Sequence, residues 1–327
     1  MTNNNGVLSR PYTDFVRFVL CVLIFVHHYY CATSYNKYTE WLGYFACALF
    51  FFLSVYGVVS SQKRKQLDLF SFMKRRFLKV WLPVVFVTIV FTLFVAVFWE
   101  REWGIAFYPP GMKYGFSPFT GVLTLLLNLV DIQKVDSVTW FVHYLVVTYF
   151  LIWVYACIKR RWMRLLFVGC VFLMVEALFF YYGYHKMYKI DVIGILMGFV
   201  YAEFKDTSDR LIFASGRHLS TCMAFFFILT VISAEMIRPF HTFISVLLSM
   251  LYCIVGIVLM IRMSMIVKIT NERTASLLGG VSMYIYLIHN KVISLSDRMD
   301  IALCFIVVFI SSLAFYYLFN PLIKKCI

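Results

Sequence analysis

The chain has 327 residues, of which 62% are hydrophobic and only 14% are charged, whereas a soluble domain carries about 25% charged residues. There are too few polar side chains to cover a surface in water, which excludes a soluble globular protein, a disordered chain and a secreted disulfide-rich domain. The apolar runs do not alternate with polar residues, which excludes a porin-like barrel. The net charge is +14. We expect the basic residues responsible for it on the cytoplasmic side of the membrane, where they contact anionic lipids rather than nucleic acid.

A membrane-spanning helix needs about 20 mostly apolar residues. The sequence predicts an all-α, polytopic bundle of ten such helices, which cover residues 12–33, 41–60, 79–98, 139–158, 164–183, 190–204, 219–237, 241–262, 276–295 and 300–319. Residues 119–130 are also apolar, but we interpret them as an interfacial or re-entrant segment within a long outer loop, 99–138. Together these segments predict a single domain over residues 1–327.

The distribution of basic residues predicts the orientation. With both termini in the cytoplasm, the predicted inner segments hold 20 Lys and Arg residues and the outer segments nine. An extra span at 119–130 would move residues 159–164 outside and spoil this asymmetry. We therefore expect a multi-pass protein of the cytoplasmic (inner) membrane with both ends inside.

The nine cysteines form no CxxC pair and show no metal-ligand spacing. Most lie in apolar stretches, where cysteine behaves as a small hydrophobic residue. We expect neither a structural disulfide nor a metal site.

The first predicted span contains ionisable residues, which are costly inside a membrane and usually face a cavity or a partner. Arg17 and His28 are eleven positions apart, which is three helical turns plus about 20°, so the two residues share one face. They lie about 16 Å apart along the helix axis, with Arg17 nearer the cytoplasm. His27 points about 80° away from that face. Arg17 is alternatively explained by snorkelling to the inner headgroups.

A dense basic segment precedes the third span, with seven basic residues in 63–79. It ends with Arg75, Arg76 and Lys79, just before Pro83. A cluster of this kind is often a lipid-facing topology signal. Arginine also presents planar donors suited to phosphate, to which lysine adds a point charge, so a multiply phosphorylated ligand from the cytosol is the functional alternative.

Polar residues in later spans form a second group near the outer side. In the ninth span Ser282, Tyr286 and His289 share one helical stripe. Trp140 and His143 open the fourth span at the same level, although aromatic residues there could simply form the interfacial belt.

Carboxylates are rare in the predicted spans. Glu176 is the one carboxylate at mid-membrane depth, and its alternatives are pairing with a His or Arg or staying protonated. Asp191 and Glu235 lie near the predicted outer ends of their spans, where we expect contact with water.

These features together resemble the integral-membrane acyltransferase family 3, whose members O-acylate bacterial polysaccharides and related glycans. The first helix of that family carries Asp-x-x-Arg, ten residues and then His, which here are Asp14, Arg17 and His28. The similarity continues in order through the chain, in segments 51–57 (with Ser54), 75–79 before Pro83, 140–141 and 282–289. Three departures are Val55, where the family has glycine, Lys79, where it has arginine, and Met283, where it has an aromatic residue.

The resemblance implies transfer of an acyl group, usually acetyl from acetyl-CoA, to a sugar hydroxyl. On this reading cytosolic acyl-CoA is a co-substrate and a glycan or polysaccharide the acceptor. His28 would be the general base, assisted by Asp14, Arg17 and His289. The residues implied to bind CoA are Arg17, Arg75, Arg76 and Lys79. Those implied to bind the acceptor are Ser54, Trp140, His143, Tyr286 and Glu176.

Two other functions remain as alternatives. In a transporter or flippase of a lipid-linked or anionic substrate, the same Arg and His residues would line a pathway, although internal repeats and paired broken helices are missing from the sequence. In a membrane subunit without catalytic activity, the polar residues would only hold helices together.

Overall fold

A computed structural model describes residues 7–33, 39–98, 140–183, 186–214, 217–237, 243–295 and 299–326. This part of the chain is helical and contains no strand. Its helices are α1 (Arg10–Thr33), α2 (Glu40–Arg64), α3 (Leu69–Phe98), α4 (Trp140–Cys157), α5 (Arg161–Tyr181), α6 (Lys186–Glu203), α7 (Lys205–Ala214), α8 (Arg217–Ile237), α9 (Phe243–Ile266), α10 (Glu272–Leu295) and α11 (Ile301–Cys326).

Each predicted span overlaps one of the long helices, and α7 is a short additional helix between α6 and α8. Within the described residues, seven helices are long and apolar enough to cross a membrane: α1, α2, α4, α5, α8, α9 and α11. The all-helical membrane fold is therefore confirmed, while ten crossings with cytoplasmic ends stay a prediction. The predicted segment 119–130 and the loop around it lie outside the described residues.

Helix α3 begins ten residues before the predicted span, so residues 74–79 of the basic segment belong to its first turns rather than to a loop, while Lys63 and Arg64 lie in the last turn of α2. Asp68 caps this start, because its Oδ1 accepts the backbone N–H of Ser71 at 3.0 Å. The hydrogen bonds from Ser71 hold the pKa of the Asp68 carboxyl below its ordinary value. This places Arg75, Arg76 and Lys79 on one rigid element.

Two glycines four residues apart bring α6 against α2. A Cβ on Gly194 would stand 2.0 Å from the Ala48 carbonyl oxygen, and one on Gly198 would stand 2.7 Å from the Val55 Cβ. Small residues at this spacing let helix backbones approach closely, which is how helices associate inside a membrane. The α2–α6 pair is therefore fixed by backbone contact.

The outward faces of α5 and α8 are apolar. Leu166, Leu173 and Met174 on α5, and Phe225 and Ile228 on α8, are all more than 40% exposed. Apolar side chains of this size are not left against water, but they suit a helix that faces lipid tails. These faces mark the periphery of the bundle, and the site lies on the other side, between α1, α3, α4 and α10.

Candidate active site

Helices α1 and α10 pack side by side in the same direction. Asp14 lies against Gly279, where an added Cβ would stand 2.5 Å from the Asp14 Cβ. About two turns further along α1, the Cys21 thiol donates to the Ser282 carbonyl oxygen at 3.0 Å. Asp14, Cys21 and His28 are seven residues apart, so they lie on nearly one stripe of α1. That stripe faces α10 along its length.

The stripe ends at a pair of imidazoles. The rings of His28 on α1 and His289 on α10 have centroids 5.0 Å apart and an angle of 44° between their planes. His289 is 0% exposed and His28 is half-buried. His28 therefore faces another helix of the bundle rather than lipid, as the reaction predicted from the sequence requires.

The hydrogen bonding of His289 fixes the roles of its two nitrogens. Its Nδ1 lies 3.1 Å from the carbonyl oxygen of Ile285. A carbonyl only accepts, so Nδ1 carries the proton, and the lone pair of the neutral ring is on Nε2. Among the described residues this buried Nε2 has no hydrogen-bond partner, so it is available to an incoming group.

His27 faces a different helix, as its predicted angle implies. Its Nδ1 lies 3.1 Å from the Thr39 carbonyl oxygen, and a Cβ on Gly43 of α2 would stand 2.7 Å from its ring. Gly43 thus leaves room for the His27 ring between α1 and α2. Of the two neighbouring imidazoles, only His28 lies opposite His289.

Aromatic residues of α4 complete the imidazole layer. The Tyr286 ring lies 5.8 Å from the His289 ring and 5.3 Å from that of Phe141. Trp140 packs edge-on against Phe141 at 6.0 Å and is 8% exposed. The structure thus brings the predicted residues Trp140 and Tyr286 into one layer with the imidazoles. His143 lies about one turn further along α4, with its ring 5.2 Å from Trp81 of α3.

A second group, of cations, lies about three turns of α1 away from the imidazoles. Arg17 donates to the Asp14 carboxylate at 2.9 Å. Arg76 and Lys79 of α3 are close enough to Arg17 to interact with it electrostatically, and Tyr149 of α4 interacts electrostatically with both arginines. Within the described residues one carboxylate, that of Asp14, pairs with Arg17 and also with Arg10 at 3.7 Å, so the three cations together carry an excess of positive charge. Arg75 is exposed at its edge.

The remaining predicted residues lie elsewhere. Glu176 is 7% exposed, and neither of its carboxyl oxygens has a hydrogen-bond partner in the described part of the chain. Its electrostatic neighbours are Lys189 and Tyr144, which lie on α6 and α4, and not the imidazoles. Ser54 is half-buried on α2, and among the described residues no hydrogen bond joins it to the imidazoles.

The expectation that Asp191 contacts water is wrong, since this residue is 0% exposed. It stands three residues before Gly194, on the side of α6 that the glycine stripe presses into the bundle. The spacing of that stripe is the signal that could have predicted its burial. Glu235, expected in water as well, is half-buried.

Sequence reasoning also missed Lys291, which is 1% exposed and donates from Nζ to the Leu287 carbonyl oxygen at 2.9 Å. This buried cation lies on α10, two residues beyond His289. No pattern in the sequence separates it from the exposed lysines at helix ends.

Comparison with known proteins identifies a family for most of the chain. A family model described as an acyltransferase domain matches residues 10–323, which include both the imidazole pair and the cation group. No curated protein and no solved structure matches the chain.

Proposed function

The chain belongs to the integral-membrane acyltransferase family 3. From this premise we propose that it transfers an acyl group from cytosolic acyl-CoA to a hydroxyl of a cell-surface polysaccharide or lipid-linked glycan. We propose acetyl as the acyl group. One observation carries the proposal. An imidazole pair, with His289 buried and His28 half-buried, and an excess of positive charge lie on the same face of α1, about 16 Å apart along its axis.

The cation group suits the nucleotide end of acyl-CoA. This donor is made in the cytosol and carries several phosphate charges. Arg17 and Arg76 offer guanidinium donors that bind phosphate oxygens in pairs, and Lys79 adds a point charge. A bound anion would offset the repulsion between three neighbouring cations.

Side chains of α4 connect the cation group with the imidazoles. Tyr149 interacts electrostatically with Arg76, His143 contacts Trp81, and Phe141 contacts Tyr286 next to His289. These contacts follow α4 from Tyr149 to Phe141, about 12 Å along the axis. The uncharged arm of acyl-CoA lies along this wall, with its thioester at His28.

His28 acts on the acceptor hydroxyl. A sugar hydroxyl is a poor nucleophile while it keeps its proton, and a neutral imidazole removes that proton as the oxygen attacks the thioester carbon. The electrons of the broken C–S bond leave with the CoA sulfur, which takes the proton from His28. The lone pair on His289 Nε2 accepts a hydrogen bond from the His28 ring or from the acceptor, so His289 orients the reactants rather than donating to an oxyanion.

The proposed topology has ten crossings and both termini in the cytoplasm of a cell with an inner membrane. The parallel packing of α1 and α10 supports it, since these are the first and ninth predicted spans and both would run outward. Residues assigned to the inner side also meet, because Lys63 and Arg164 bind Glu203 at 2.7 and 2.5 Å. Family membership gives no support to the transporter alternative.

Purified protein, radiolabelled acetyl-CoA and extracted surface glycan test the proposal in detergent, where no gradient exists. We expect label in the glycan with wild-type protein and none with His28→Ala that retains its native elution volume in size-exclusion chromatography. Near-full transfer by His28→Ala would exclude His28 as the base. No transfer by the wild-type protein to any glycan from the producing cell would overturn the function itself.

A further inference from the structure

An apolar groove lies between α4, α5 and α6. It holds about 540 Å³ of space outside the protein atoms, part of it open to the surroundings. Helix α5 packs closely on α6 but contacts α4 little, which leaves the groove between them. Among the described residues, the side chains that line it are apolar apart from Tyr144 and Thr148, and the Thr148 hydroxyl donates to the Tyr144 carbonyl oxygen at 2.8 Å. The lining suits a hydrocarbon chain, because a polar group would lose water there without gaining hydrogen bonds.

The groove runs along the helices at the lipid-facing surface of the bundle. On α4 it extends from Tyr144 to Leu151 and on α5 from Val175 to Phe167, about 10 and 12 Å along the two axes. Its lining residue Val147 is 59% exposed, so the groove opens on the same apolar surface as the outward face of α5. A chain can therefore enter sideways from the membrane.

The end of the groove nearer the imidazole layer adjoins two buried carboxyl groups. Glu176 follows the lining residue Val175, and Asp191 precedes the lining residue Val192. They are 7% and 0% exposed, and neither carboxyl group has a hydrogen-bond partner among the described residues. Tyr144 interacts electrostatically with both. Most buried polar atoms have a partner, so this end fits a ligand that brings hydroxyl donors, while the rest of the groove fits an apolar chain.

Ring contacts connect this end with the proposed reaction centre. The Tyr144 ring lies 5.3 Å from that of Phe51, and the Phe51 ring lies 4.4 Å from that of Phe141. Phe141 contacts Tyr286, whose ring adjoins His289. The polar end of the groove and the imidazole pair thus belong to one continuous set of packed side chains.

The groove and the cation group lie on opposite sides of α4. Val147 of the groove and Tyr149, which interacts electrostatically with Arg76, are two residues apart. Their side chains therefore point about 160° apart around the helix. Because the proposed CoA contacts are on the Tyr149 side, the groove is assigned to the acceptor rather than to the donor.

From these observations we infer that the groove holds the hydrocarbon chain of the acceptor, which is a lipid-linked glycan acylated while it is still joined to its lipid. This inference rests on the proposed function and selects one of its two acceptor classes. The chain lies between α4, α5 and α6, and hydroxyl groups next to it donate to Glu176 and Asp191. The sugar then extends past Trp140 towards His28. A free polysaccharide has no part that fits the groove.

The test uses full-length protein in lipid nanodiscs with acetyl-CoA and two acceptors. One is lipid-linked glycan extracted from the producing cells, and the other is the same glycan after mild acid has removed its lipid. For wild-type protein we expect a KM at least tenfold lower for the lipid-linked form. Val171→Trp, which fills the groove, should raise that KM about tenfold and leave both transfer to the lipid-free glycan and the KM for acetyl-CoA unchanged. Leu173→Trp is the matched control, because Leu173 is on the same helix and 67% exposed.

The outcomes separate this inference from the proposed function. Equal KM values of wild-type protein for the two acceptors would overturn the inference while the acyltransferase function stands. The same holds if Val171→Trp impairs both acceptors equally, or if it acts only on the KM for a long-chain donor such as palmitoyl-CoA. An unchanged KM for the lipid-linked glycan in Val171→Trp would mean that ordinary membrane lipid fills the groove. If wild-type protein transfers acetyl to neither acceptor, the proposed function fails, and this inference with it.

Discussion

Asp14 of α1 lies directly against Gly279 of α10, so closely that a Cβ at residue 279 would stand 2.5 Å from the Asp14 Cβ. This contact sets how near the two helices come, and it lies on the same stripe as His28. Asp14 in turn holds Arg17 at 2.9 Å. A single backbone approach therefore positions both the proposed donor-binding cation and the proposed base.

Gly279→Ala is expected to push α1 away from α10 and to lower acyl transfer by more than tenfold, because a misplacement of about 1 Å can cost about 100-fold in rate. Overpacking of this kind also costs about 1–3 kcal/mol in stability. Gly57→Ala is the matched control, since nothing lies within 4 Å of a Cβ there. Turnover and thermal unfolding of both variants in detergent check the prediction, and equal turnover would show that the contact does not position the site.

Helix periodicity alone predicted the stripe that holds Arg17 and His28, because side-chain direction on a helix follows from residue spacing. It could not predict that the stripe faces α10. Which helices become neighbours depends on contacts between residues far apart in the chain, such as Asp14 with Gly279. The residue types at His289 and Tyr286 suggested a partner, but only the fold places them beside His28.

Other features were missed because one residue type fits several environments. Lys291 has the same residue type as the exposed lysines at helix ends, and its burial appears only in the folded bundle. Asp191 was expected in water because it lies near the predicted end of a span, yet close packing of α6 on α2 buries it. The start of α3 was placed late because its basic first turns lack the apolar character of a span.

His28→Ala is expected to lower turnover by about 10²–10⁴-fold, the usual contribution of a positioned general base. Acyl-CoA binding should change little, because the proposed phosphate contacts lie about 16 Å away along α1. Turnover at saturating acetyl-CoA and a separate binding titration distinguish the two effects. Thr221→Ala, at an exposed position of α8, is a control outside the proposed site. A loss of binding with unchanged saturated turnover would assign His28 to donor binding instead.

Gly194→Val is expected to lower the stability of the folded protein without acting directly on the catalytic step. Its Cβ would meet the Ala48 carbonyl oxygen at 2.0 Å, and backbone atoms cannot move aside as a flexible side chain does. We expect a loss of native protein after detergent extraction, measured by size-exclusion chromatography. Gly169→Val on α5 has open space around its Cβ and should extract normally. Similar yields of both variants would contradict tight packing of α6 on α2.

Glu203 is expected to stabilise one end of the bundle. Its side chain is 3% exposed and binds Lys63 of α2 at 2.7 Å and Arg164 of α5 at 2.5 Å. Glu203→Gln would leave partly buried cations without a counter-charge, at a cost of about 1.5–3 kcal/mol for each charged hydrogen bond lost. A lower thermal midpoint in detergent checks this, and the exposed Glu272→Gln serves as control. An unchanged midpoint would mean that water replaces the carboxylate at this end.

Arg76→Ala is expected to raise the KM for acetyl-CoA by about tenfold with little change in saturated turnover, because the lost charge contacts the donor away from the reacting atoms. Arg75→Ala should have a smaller effect, since Arg75 is exposed whereas Arg76 is half-buried and interacts electrostatically with Tyr149 and Arg17. Added salt should narrow the difference between wild type and Arg76→Ala, as screening weakens contacts with phosphate. Steady-state kinetics at two ionic strengths measure all three effects, with Lys325→Ala as a control for net charge. If Arg75→Ala proved more damaging than Arg76→Ala, the phosphates would have to bind at the outer edge of α3 rather than between α1, α3 and α4.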